Sequence, residues 1–79
     1  MNKYSISFMC ECPKNKKPII YFLEIETKSI IMVEDLIEFC DNIGSGYHEN
    51  IADEISGKFG GNQTMIANHH GVTIRTERL

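Results

Sequence analysis

Cys10-Glu11-Cys12-Pro13-Lys14-Asn15-Lys16-Lys17-Pro18 decides the fold of this chain, because it parts two alternating runs with a turn. Its two prolines and its asparagine favour a turn or loop over either regular element. Before it, Tyr4, Ile6, Phe8 and Cys10 point one way along Lys3 to Cys10, while Ser5, Ser7 and Met9 point the other. After it, Ile19, Tyr21, Leu23 and Ile25 share one face of Ile19 to Glu26, and Ile20 and Phe22 share the opposite face with Glu24 and Glu26. A period of two is the signature of a half-buried strand, so the two runs predict a β-hairpin.

Beyond the connector Thr27 to Ile31 the period changes. Val33, Leu36, Ile37, Cys40 and Ile43 recur at spacings of three and four, which predicts one apolar stripe on a helix. Glu34 and Asp35 fall in its first turn, where acids favour the helix dipole. Gly44-Ser45-Gly46 ends it. A second helix is expected from His48 to Lys58, with Ile51, Ala52, Ile55 and Phe59 inward and Ser45 as its cap. Gly60-Gly61-Asn62 closes that segment. Gln63 to Asn68 and Val72 to Glu77 predict a last strand pair, with His69-His70-Gly71 as the turn and Gly71 available for a positive φ.

The expected fold is therefore α+β, in the order ββααββ. Its two helices cover one face of a four-stranded antiparallel sheet. Following the chain's direction, the reversals at Cys10–Pro18, Gly44–His48 and Asn68–Gly71 fall at the same end. Every cysteine and every histidine then gathers there: Cys10, Cys12, Cys40, His48, His69 and His70. The other sheet face carries Met9, Ile20 and Phe22 among polar residues, a mixture that suits an oligomer interface or a lined cavity.

Bulk properties bound the function. Seventy-nine residues make one domain, 1–79, and a domain this small gains from metal, disulfides or oligomerisation. A net charge of -3, with only Lys14 to Lys17 clustered among the basic residues, argues against nucleic acid as the partner. Met1 to Ser5 holds no apolar run of leader length, and no stretch approaches the roughly 20 apolar residues of a membrane span. Three cysteines leave one thiol over from any internal pairing, and Cys10 and Cys12 fall on the same strand face, awkward for a mutual disulfide. A cytoplasmic protein with reduced thiols and no membrane partner is the resulting expectation.

Three chemistries are open to the clustered residues. Cys10, Cys12, His69 and His70, with Cys40 and His48 nearby, are donor types that bind zinc, although the spacing matches no finger pattern. Unligated side chains are the competing reading, with Cys40 as a small core residue. Cys12 can serve as a nucleophile if nearby cations lower its pKa, and Lys14, Lys16, Lys17 and His48 are the candidates; otherwise it is an inert thiol at a strand end. Glu49, at the opening of the second helix, is the right acceptor for two adjacent N–H donors on a guanine or pterin edge, or else an exposed helix-start acid.

The sequence resembles the tunnelling fold, or T-fold, superfamily, whose ββααββ modules assemble into barrels and bind purine-like and pterin-like rings between subunits. The likeness spans about residues 8 to 75. Cys12-Pro13-Lys14-Asn15 resembles the Cys-Pro-x-Thr turn of the 7-cyano-7-deazaguanine nitrile reductases, whose cysteine attacks the nitrile to form a thioimide. Tyr47-His48-Glu49-Asn50 resembles their Phe-His-Glu-Asp stretch, whose Glu holds the base. The resemblance to type IB GTP cyclohydrolases is different: Cys-Pro-x-Ser-Lys near the first turn, a helix like Val33-Glu34-Asp35-Leu36-Ile37-Glu38, and a His late in the last hairpin. The chain departs from the reductases after Pro18. Ile19-Ile20 stands where they carry the Asp that donates a proton, and their Glu-Ser-Lys-Ser-x-Lys motif has no counterpart near Glu34-Asp35-Leu36-Ile37-Glu38. The family enzymes are also longer.

The resemblance implies a homo-oligomeric module binding a purine- or pterin-like small molecule. Glu49 and Lys14 would hold the ligand, Cys12 and His48 would carry any chemistry, and zinc is a possible cofactor. The alternative class is a non-enzymatic interaction protein, an inhibitor or assembly partner, acting through the sheet face around Phe22 and Ile20 or through an edge strand.

Overall fold

The computed structural model describes all 79 residues. It contains β1 (Asn2–Glu11), β2 (Pro18–Thr27), α1 (Val33–Ile43), α2 (His48–Phe59), β3 (Asn62–His69) and β4 (Val72–Arg78). The order is the expected ββααββ, an α+β fold. The four strands form one antiparallel sheet in the sequential order β1-β2-β3-β4. α1 lies over β1, and α2 lies over β3 and β4, so both helices pack on one face. No helix is long and apolar enough to cross a membrane.

The alternating pattern of β2 anchors the core. Ile19, Tyr21, Leu23 and Ile25 are all buried, and they meet Phe8 and Cys10 of β1 and Met65 and Ala67 of β3. The helices complete this layer with Leu36, Cys40, Ile51, Ala52 and Ile55. Each large side chain of this kind contributes about 1.5–3 kcal/mol by leaving water. β2 is central, flanked by β1 and β3, which is why its inward face is the driest in the chain.

α1 departs from its expected stripe. Leu36 and Cys40 are buried, but Val33 and Ile37 are exposed. Phe39 instead packs toward the core and meets Phe59 edge-on, ring centroids 5.5 Å apart. The helix sits over an edge strand, so only the side facing β1 and α2 finds a partner, and the outer half of the apolar stripe overhangs the sheet.

Two turns also differ from expectation. Ser45 does not cap α2. Tyr47 occupies that position without a side-chain cap, and Ser45 bridges to Glu11 of β1. Gly44, at φ 73° and ψ -53°, makes this possible by letting the Ser45 N–H donate to the Ile43 carbonyl at 2.8 Å, a tight γ-turn. His69 is the last residue of β3, paired with Val72, and not part of the turn. The turn is the pair His70-Gly71, at φ 56° and 99°, the two-residue type whose twist matches the flanking strands.

The sheet face away from the helices leaves Met9, Ile20 and Phe22 about half exposed. With Ser7, Ile66 and Arg75, Phe22 lines a shallow hollow of about 410 Å³. β1 and β4 are both unpaired edges.

Candidate functional site

The three chain reversals meet at one end of the sheet, as the direction of the chain requires. The Glu11 N–H donates to the Gly44 carbonyl at 2.8 Å, tying the end of β1 to the joint between the helices. Asn15, in the β1–β2 turn, reaches His70 in the β3–β4 turn, with 3.1 Å between Nδ2 and Nε2. Between these ties lies an open cleft of about 620 Å³. Cys12, Tyr21, Tyr47, His48, Glu49 and His69 line it.

Cys12 sits at the mouth of a closed turn. Its carbonyl accepts from the Lys16 N–H at 2.8 Å, and its N–H donates to the Lys17 carbonyl at 2.9 Å. The side chain is partly exposed. A hydrogen bond with the His70 side chain, then the backbone of Asn15 and Lys14, bring its thiol down from 9.0 to about 7. A thiol shifted in this direction holds more thiolate near neutral pH than an ordinary cysteine does. The lysine cations expected to do this are exposed and do not contribute; Lys14 acts through its main chain and does not line the cleft.

His48 opens α2 but is turned inward and is only 4% exposed. Its Nδ1 lies 2.8 Å from Nε2 of His69, one ring donating to the other. Its own Nε2 is buried without a partner of hydrogen-bonding geometry. Burial, then the neighbouring His69, hold the His48 pKa below 6.5, with a weak backbone contact to Met65 acting the other way. Burial, then His70, lower that of His69 as well. Both rings are thus neutral at pH 7. Tyr21 packs against them, its ring centre 5.4 Å from that of His48 and 5.7 Å from that of His69, and its other side stacks on Phe8.

The remaining thiols are inert by position. Cys10 and Cys40 are core residues, and burial pushes each up to about 11. The donor set therefore does not fit zinc. Cys10 faces the core and His69 is engaged by His48, and no three His, Cys, Asp or Glu side chains converge to hold a metal ion. Glu49 is exposed in the first turn of α2 and lines the cleft beside the exposed Tyr47 ring. Of the residues singled out from sequence, the fold brings Cys12, His48, Glu49 and His69 into one cleft, whose lining includes neither His70 nor Lys14.

No family model matches the sequence, and no curated protein matches it either. Among solved structures it is similar to one described as the archaeosine synthase QueF-Like in the apo form. The TM-score is 0.66 at 13% identity, and the match covers 98% of this chain and 89% of that one. The fold is the tunnelling fold. At that identity the likeness concerns the fold alone, and the T-fold chain it matches is close to this one in length, so short size is no departure from the architecture.

Asn15 and Tyr47 are the site residues that sequence reading missed. Asn15 carried a signal, since an Asn within a turn often bonds nearby backbone. Its contact with a residue 55 positions away depended on β2 and β3 being neighbours.

Proposed function

We propose that this chain is a T-fold module that binds a planar purine- or pterin-like small molecule in the cleft, where Cys12 presents a thiolate to an electrophilic carbon of the ligand. The observation that carries this reading is the sharing of one cleft by an activated thiol and a free carboxylate, Cys12 and Glu49. Glu49 accepts the paired N–H groups of the ring's amidine-like edge, and Tyr47 offers a flat face beside it. His48, neutral and held by His69, adds a fixed polar wall. The T-fold likeness, to a structure described as an archaeosine synthase, supports a purine-like ligand. The open cleft, the apolar outer face at Ile20 and Phe22, and the two unpaired edges favour a homo-oligomer, and three free thiols favour a cytoplasmic setting.

The test uses 7-cyano-7-deazaguanine, a ring with both an amidine edge and an electrophilic nitrile carbon. Calorimetry should show binding, and intact-mass spectrometry should show a single adduct. Cys12→Ala should bind without the adduct. Glu49→Ala should bind at least tenfold more weakly, because charge-assisted hydrogen bonds are each worth about 1.5–3 kcal/mol. Absence of both binding and adduct in the wild-type protein would refute the reading. The exposed Phe22 and Ile20 also favour a second reading, a non-enzymatic interaction module; Phe22→Glu would then abolish partner binding while the cleft stayed idle.

A further inference from the structure

Glu49 and Tyr47 stand at the start of α2, and one side chain holds that start to the sheet. Tyr47 occupies the position before the first turn and forms no side-chain cap. Ser45 is drawn away to β1, where it bridges to Glu11. Uncapped helix ends fray, because their first N–H groups have no partner within the helix. The later turns are held by burial of Ile51, Ala52 and Ile55, and by the 2.7 Å bond from Arg78 Nε to Asp53. Ahead of Ile51, His48 is the one buried residue, and its 2.8 Å bond to His69 ties that turn to β3. Tyr21 backs both rings, at 5.4 and 5.7 Å between ring centres, so the pair is a fixed point. Tyr47 and Glu49 flank this point in sequence, and both are exposed. Successive helix residues are turned about 100° apart, so burying His48 sends Glu49 outward.

We propose that His69 is a positioning residue for the cleft: through the ring of His48 it anchors the first turn of α2, and so holds Glu49 and Tyr47 in place for the edge and the face of one planar ring. The tie stands in for the missing cap by linking the first residue of α2 to the last residue of β3. His48, His69, Tyr47 and Glu49 all line the cleft, so anchor and ligand groups belong to one wall. The effect does not depend on which ring gives the proton, because either direction makes the same link. Freed from it, the turn unwinds back to Ile51, whose N–H donates to the Tyr47 carbonyl at 2.9 Å. An acid and an aromatic on a frayed turn no longer keep a fixed spacing, and binding must then order them. The inference rests on the reading of Glu49 as the acceptor for the ligand's paired N–H groups.

Two readouts need no ligand. Nitrogen NMR of the full wild-type chain should show a coupling between His48 Nδ1 and His69 Nε2 transmitted through their hydrogen bond. In His69→Leu, amide exchange at Ile51 should speed up about tenfold relative to Gly60, whose N–H donates to the Ser56 carbonyl at the other end of α2. Taking the ratio within one variant cancels a loss of global stability, which speeds both sites alike. His69→Gln carries an amide that matches the reach of the ring's Nε2, and it should restore the wild-type ratio. With 7-cyano-7-deazaguanine, His69→Leu should bind about tenfold more weakly, and His69→Gln nearly as tightly as the wild type. An absent coupling in the wild type overturns the proposal, even where His69→Leu does not fold. So does an unchanged Ile51 ratio in a folded His69→Leu, or equal binding by that variant and the wild type. If the wild-type chain does not bind 7-cyano-7-deazaguanine, the ligand reading falls, and the coupling and the exchange ratio decide the anchor on their own.

Discussion

Replacing His69 by leucine isolates the energetic role of the histidine pair. In the folded chain His48 is 4% exposed, and its one hydrogen-bond partner is His69, at 2.8 Å; Nε2 already has none. His69→Leu puts hydrocarbon against Nδ1, so that atom loses its partner and neither nitrogen of the buried ring is then satisfied. An unsatisfied buried polar group costs about 1–3 kcal/mol. Loss of the edge-on contact between Tyr21 and His69, at 5.7 Å, adds about 0.5–1.5 kcal/mol. The sum, about 1.5–4.5 kcal/mol, is a large part of the roughly 5–15 kcal/mol available to a small domain. A melting-temperature fall of roughly 10–30 °C follows for a chain of this length. The assay is urea denaturation at pH 7.5, where both rings are neutral, on wild type, His69→Leu, His48→Leu and the double variant. His48→Leu removes the buried polar ring itself, so the double variant should be more stable than the two single losses add up to, by about 1–3 kcal/mol. Additivity within about 0.5 kcal/mol would mean that the two rings do not depend on each other, and the reasoning would fail.

The same pair sets a pH dependence. Folding lowers the pKa of His48 and of His69 below 6.5, so the unfolded chain binds more protons in that range. Their contribution is complete above pH 6.5 and is lost as pH falls through the folded values; melting temperature should decline between pH 6.5 and 5 in the wild type, and more weakly in the double leucine variant. Gly61 stands at φ 73°, and an added Cβ would lie 2.8 Å from the Glu26 carbonyl oxygen and 3.0 Å from Thr27 Cβ. Gly61→Ala should lose about 2–3 kcal/mol by chemical denaturation. Gly57→Ala, inside α2 with open space around it, should gain about 0.5–1 kcal/mol in the same assay.

Much of the architecture was legible because one strand pattern carried it. The Ile19, Tyr21, Leu23 and Ile25 alternation named the inward face of β2, and β2 is the strand around which the core is built. Direction alone then placed Cys12, His48, Glu49, His69 and His70 at one end. The outer half of α1 was not legible, since Val33 and Ile37 keep helical spacing whether or not a strand lies beneath them. His69 was assigned to the turn because His-His-Gly reads as one polar unit, whereas the twist of the strands selects two residues, His70 and Gly71. The surroundings of Cys12 were only partly legible for a related reason. Neighbouring lysines are visible in sequence, but the approach of Asn15 to His70, from turns at two different strand pairs, is visible only once strand order is known. Zinc looked plausible from donor types, and the orientation of Cys10 into the core removes it.

The register gives both outer strands a shared exit. Asn2 pairs with Thr27 at the start of β1, and Arg78 pairs with Gln63 at the finish of β4, so the two chain ends emerge opposite the cleft on the two flanks of the sheet. Copies joined in tandem by a short peptide would therefore stand side by side with their clefts opening in the same direction. A reporter attached at either end would hang behind the molecule, leaving the ligand's approach unobstructed.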